Sequence, residues 1–243
     1  MNNQTINSIN ETLQAYGFEQ YQLSDLSQDN ELLLKHESGT IALNGKNLLH
    51  DLHLGKSKNL SSLINAIDLY DLTYSLAEIC AKGFSKFTCI KEIAIGYYSF
   101  CKGTCYHYGD KKIYVNPSYV FKRWKTTFSK SITLKDFITV LLLHELGHAF
   151  QDNEKPLLQR KTEFFSENIH SEFISEAIQK YKHFLIKTEI DAWDRTKHLL
   201  KEFSLDSVSF TQVKSDCLNS YASLNDLEIE KRLKRVYKHL VCK

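Results

Sequence analysis

The chain has 243 residues, of which 42% are hydrophobic and 25% charged, with a formal net charge of +2. That length supports one large domain with a well-buried core and no need of covalent staples, and the composition excludes an intrinsically disordered chain. The near-neutral balance, with basic and acidic residues interleaved along most of the chain, argues against a nucleic-acid partner.

The N-terminal stretch MNNQTINSINETLQAYG lacks the basic start and apolar core of a secretory signal. No apolar run approaches the ~20 residues that span a bilayer. The expected setting is therefore cytoplasmic with no membrane contact, and export by a route that needs no signal is compatible with it.

A short helix is expected over 4–16, followed by two β-prone runs in ELLLKHESGTIALNG around a Ser38–Gly39 turn. A polar, glycine-containing stretch at 53–60, HLGKSKNL, marks the softest boundary. Beyond it LSSLINAIDLYDLTYSLAEICAKGF spaces apolar residues at three and four, which predicts a long amphipathic helix ending near Gly83. IKEIAIGYYSF then reads as a strand, and TCYHYGDKKIYVNP as a hairpin turning at Gly109–Asp110. Pro117 suits the first turn of a helix over PSYVFKRW.

From about 133 onward the pattern is helical. One helix covers TLKDFITVLLLHELGHAFQD, with Thr133 and Asp136 as its N-terminal cap. A long helical stretch over about 161–203 follows, then two C-terminal helices near 206–222 and 224–241. The last, EIEKRLKRVYKHLVCK, is locally basic and reads as a solvated helix face ending in cations that suit the helix dipole.

The chemistry concentrates in TVLLLHELGHAFQDNE. His144 and His148 are one helical turn apart on the same face, so their imidazoles can share one tetrahedral ion. Glu145 projects beside that ion, where a carboxylate can take a proton from an activated water. An apolar helix that buries two histidines must satisfy their nitrogens, and a metal does so directly. This His-Glu-x-x-His arrangement is that of zinc peptidases. A third ligand is required and must come from further on, because position 151 is Gln and position 154 is Glu. Glu163, Glu167, Glu172, Glu176 and Glu189 are the candidates.

HELGHAFQ followed by KTEIDAWDR resembles the glutamate-ligand zincins, or gluzincins, over roughly residues 90–200. In that family a later helix carries Glu-x-x-Ala, so the resemblance implies Glu189 as the third zinc ligand and Ala192 as the small residue that lets the two helices pack closely. Glu172 and Glu176 are the rival assignments. Trp193 stands where several of these families place an Asp, so the outer contact to a zinc histidine would fall to Asp191 or Asp194. In size and layout the chain is similar to small bacterial and phage metallopeptidases of the ImmA/IrrE type.

The resemblance implies a zincin-like fold, and with the boundary at the 53–60 stretch the expected architecture is α+β: an α/β addition over 1–57, then a zincin-like metallopeptidase domain over 58–243 with a small antiparallel sheet, the metal-binding helix and a mainly helical C-terminal part. It implies peptide-bond hydrolysis by a zinc-activated water with Glu145 as general base, acting on a protein or peptide substrate. The oxyanion-stabilising side chain would come from Tyr181, His183, His198 or Tyr221. Two other readings remain: a zincin-shaped module that binds protein without catalysis, and a structural zinc site, which would require a fourth protein ligand.

The six cysteines show no disulfide rhythm and are expected to be reduced. Cys101, Cys105 and His107 in CKGTCYH have ligand-like spacing but no second pair to complete a site, and read as a strand and turn. His50 and His53 read as a surface or turn feature.

Overall fold

The computed structural model describes residues 7, 22–26, 31–35, 42–44, 87–96, 98–168 and 174–241. The expected helices over 4–16 and 60–83, the histidines at 50 and 53 and the alternative ligand Glu172 lie outside the described residues, save Asn7, which is helical.

The architecture is α+β. Six strands, β1 (Gln22–Leu26), β2 (Glu31–Lys35), β3 (Ala42–Asn44), β4 (Glu92–Ile95), β5 (Thr104–His107) and β6 (Lys112–Val115), form one sheet in the order β1-β2-β3-β4-β6-β5. The expectation of an antiparallel sheet is corrected: β1, β2 and β3 pair antiparallel, but β3–β4 and β4–β6 are parallel. For β4 and β6 the cause is the placement of the β5–β6 hairpin. The chain leaves β4 for the sheet edge and returns between them, so β6 rather than β5 lies against β4, in the same direction. The sheet also crosses the 57/58 boundary, because Leu43 of β3 is registered with Ile93 of β4.

The hairpin joins His107 to its partner Lys112 through a four-residue loop containing Gly109 and Asp110. The residue that adopts the left-handed conformation is Lys111, at φ 57°, rather than the glycine. The strand expected in IKEIAIGYYSF is shorter, covering four residues of β4.

Six α-helices follow among the described residues: α1 (Pro117–Arg123), α2 (Leu134–Glu154), α3 (Leu157–Asn168), α4 (Ile174–Thr196), α5 (Ser207–Ala222) and α6 (Asp226–Val241). Pro117 occupies the first turn of α1, which runs into a π-helical turn over Trp124–Phe128. Thr133 caps α2 as expected, its hydroxyl oxygen accepting from the Asp136 amide at 3.1 Å.

Helix α2 is buried on nearly every side from Phe137 to Ala149, as a helix apolar all round must be. It is enclosed by the edge strand β5, by α4 and by α5. The main core joins Ile93, Ile113 and Val115 of the sheet to Phe137, Leu142 and Leu146 of α2 and to Trp193 of α4. A smaller cluster, with Ile178, Tyr181 and Ile229, packs α4 against α6. No described helix is long and apolar enough to cross a membrane.

Candidate metal centre

The helical period places His144 and His148 on one face of α2, their rings 4.6 Å apart. Glu189 comes from the middle of α4 and turns its carboxylate into the same spot. Its Oε2 lies 3.1 Å from His144 Nε2 and 3.5 Å from His148 Nε2. The three donor atoms all lie within 4.8 Å of one another and all three side chains are buried. Among the described residues this is the one such group of three or more, and it can hold a metal ion.

The donor set fits an ion on its own chemistry. Glu189 Oε2 is buried without a hydrogen bond of normal geometry, although two ring nitrogens face it. A buried carboxylate oxygen shared between two imidazole Nε2 atoms is costly to leave so. A cation at the convergence point satisfies all three at once.

The two helices approach closely enough for this because of two small residues. A Cβ added at Gly147 would sit 2.0 Å from the carbonyl oxygen of Ala192. Ala192 is fully buried, and it holds the position the Glu-x-x-Ala comparison assigned to it.

Around the donors lies a set of orienting contacts. His148 Nδ1 is 3.0 Å from Gln151 Oε1. The Gln151 amide in turn donates to Thr188 O and to Asp191 Oδ2, each at 2.7 Å. Arg195 closes the chain, bonding Asp191 at 2.7 Å and pairing with Glu154 at 2.6 Å. The outer contact expected from Asp191 or Asp194 is therefore corrected. Gln151 makes it, Asp191 supports Gln151 one step further out, and Asp194 pairs with Lys214 at 2.6 Å. Gln151 stands three residues after His148 on the same helix face, a spacing that could have identified it.

Trp193 has a different role from an Asp at its position. Its indole stacks on the His144 ring at 4.2 Å and 18°, and meets Phe210 edge to face at 5.3 Å. His144 is thus held by packing, and its Nδ1 is buried without a partner.

The Glu145 carboxylate is held by the edge strand. Thr104 Oγ1 donates to its Oε1 at 2.8 Å and the Tyr106 amide to its Oε2 at 2.7 Å. Glu145 and His144 line one cavity of about 510 Å³, walled also by residues of α1, α5 and α6. Tyr221 lines it too. Burial, and then the charge and hydrogen bonding of Glu189, push the Tyr221 phenol well above its ordinary pKa, so that it stays a donor. Of the other candidates for that role, Tyr181 is buried in the smaller core cluster, and His183 and His198 do not line this cavity.

The remaining ligand candidates are elsewhere. Glu176 is exposed and pairs with Lys180 at 2.7 Å, and Glu163 pairs with Lys155. Glu167 lines a separate cavity near Phe164 and Phe184. Cys101 and Cys105 are free, and His107 pairs with Asp110 at 2.9 Å. The sequence offered no cue to Arg232, which reaches the cavity from the basic C-terminal helix.

Comparison with known proteins finds no family model, no curated protein and no solved structure that matches this chain.

Proposed function

We propose that this chain is a zinc-dependent metallopeptidase of the gluzincin kind, with His144, His148 and Glu189 as the metal ligands and Glu145 as the general base. The observation that carries this reading is the convergence of the three buried donors, one of which, His144, lines a cavity together with the Glu145 carboxylate. Zinc bound there would supply a Lewis acid that lowers the pKa of a water and polarises a carbonyl.

The chain's own groups have distinct tasks. Thr104 and the Tyr106 amide hold the Glu145 carboxylate in one orientation, so it can accept a proton from the attacking water and pass it to the leaving amine. Tyr221 offers a protonated phenol beside Glu189 for the negative charge that develops on the carbonyl oxygen. A purely structural zinc site would call for a fourth protein donor. The group counts three among the described residues, which favours a site with an open position.

The test pairs zinc content with cleavage of a peptide library. The purified chain should carry about one zinc, as the three-ligand geometry requires. Glu145→Gln should keep the zinc and lose about 10²–10⁴-fold in rate, the usual contribution of a positioned base. Full activity in Glu145→Gln, or a folded chain that takes up no zinc, would overturn the reading.

A further inference from the structure

The wall of the cavity beside the metal centre is strongly asymmetric in charge. Lys102 from the loop before β5, Lys122 and Arg123 from α1 and Arg232 from α6 all line it, and the acid among the lining residues is Glu145. Arg123 is neutralised by Asp216 of α5. Lys102, Lys122 and Arg232 are exposed, and none of the three pairs with a carboxylate among the described residues. Arg232 lies over the Tyr221 ring, its guanidinium carbon 5.9 Å from the centroid, and so is one aromatic ring away from Glu189.

Three unpaired cations arising from separate elements and lining one concavity give it a positive field. A solvated helix face would instead scatter them around its outside. Their convergence is explained if the cavity receives an anion, and a bound metal ion would add to the same field. We propose that the substrate segment seated in this cavity carries a carboxylate, recognised by Lys102, Lys122 and Arg232. This rests on the peptidase reading and names its substrate class: peptides with a carboxylate near the bond that is cut. An acidic side chain and a free C-terminus present the same chemistry, and the geometry suits either.

Binding separates these sources without requiring turnover. The protein is the full-length Glu145→Gln chain, zinc-loaded, and the probes are three fluorescein-labelled decapeptides of Ala and Gly. One carries two central Glu and an amidated C-terminus, one two central Gln with the same amide, and one the Gln sequence with a free C-terminus. The Glu amide should bind about tenfold more tightly than the Gln amide in low salt, and the advantage should shrink as salt is raised. Tighter binding by the free-acid Gln peptide alone would place the carboxylate at a substrate terminus and support the same three cations. The advantage should disappear in Lys102→Gln/Lys122→Gln/Arg232→Gln and fall partially in Lys102→Gln/Lys122→Gln, which leaves the Tyr221 contact in place. Equal binding of all three peptides, or an advantage that survives the triple substitution, overturns the inference. The peptidase reading fails separately, on zinc content and on the wild-type rate.

Discussion

Gly147 and Ala192 are in contact through their backbones: the place a Cβ would occupy on Gly147 is 2.0 Å from the Ala192 carbonyl oxygen. Nothing flexible can yield there, since the obstructing atom belongs to the main chain of a buried helix. Gly147→Ala should force α2 and α4 apart, costing about 1–3 kcal/mol or more as overpacking does, and should carry Glu189 away from the two histidines. Urea midpoints and zinc content should fall together. Retention of both would show that the helices tolerate a wider spacing.

Glu189 should be the third ligand and Glu176 a surface residue, since one faces both imidazoles and the other pairs with Lys180 in solvent. Glu189→Ala should lose nearly all bound zinc while Glu176→Ala keeps the wild-type content. Atomic absorption on the two purified variants decides it, and zinc loss in Glu176→Ala alone would reverse the assignment.

Gln151 links His148 to Asp191 and to the Thr188 carbonyl, and thereby fixes the orientation of the His148 ring. Gln151→Ala should weaken metal affinity about 10–100-fold, the usual effect of removing a partner that orients a metal-binding histidine. Competition against a chromophoric chelator measures this directly. An unchanged affinity would mean that the packing around His148 suffices to hold the ring.

The pH dependence follows from the same cluster. In the metal-free protein burial disfavours a charged His148, but the hydrogen bond and charge of Glu189 outweigh it and push the pKa from 6.5 up to about 9. A raised pKa means that this contribution to stability is fully present below the unfolded value of about 6.5 and is lost as pH rises through about 9. Glu189 has the opposite sign: burial raises it, but His144 and His148 hold it well below the usual carboxylate range. Its contribution is present above its unfolded value of about 4.5 and lost as pH falls. A metal must displace the His148 proton, so affinity should climb by about tenfold per pH unit between 7 and 8.5. Chelator competition at those pH values checks the slope, and a flat profile would show that His148 is already neutral there.

Much of the centre could be read locally. The spacing of His144, Glu145 and His148 on a helix, the Thr133 cap and the start of α1 at Pro117 depend on neighbours within one or two turns. The hairpin was legible for the same reason, although its left-handed residue proved to be Lys111. The strands around Ser38–Gly39 were recognised as β2 and β3, while β1, a polar run, gave too weak an alternation to be found.

By itself the sequence determined which helix carries the two histidines, that Glu145 stands beside them, and that a glutamate from a later helix could complete the set, because helical period and side-chain chemistry are local properties. The tertiary structure alone decided the rest. It brought Glu189 rather than Glu176 to the imidazoles, gave the orienting bond to Gln151 instead of an aspartate, stacked Trp193 on His144 and ran β4 parallel to β6. It also turned Arg232 from a cation on a basic helix into part of a cavity wall. Each of these depends on which surfaces pack together across many residues, and packing is settled by the shape and burial of the whole core, which no short stretch of sequence contains.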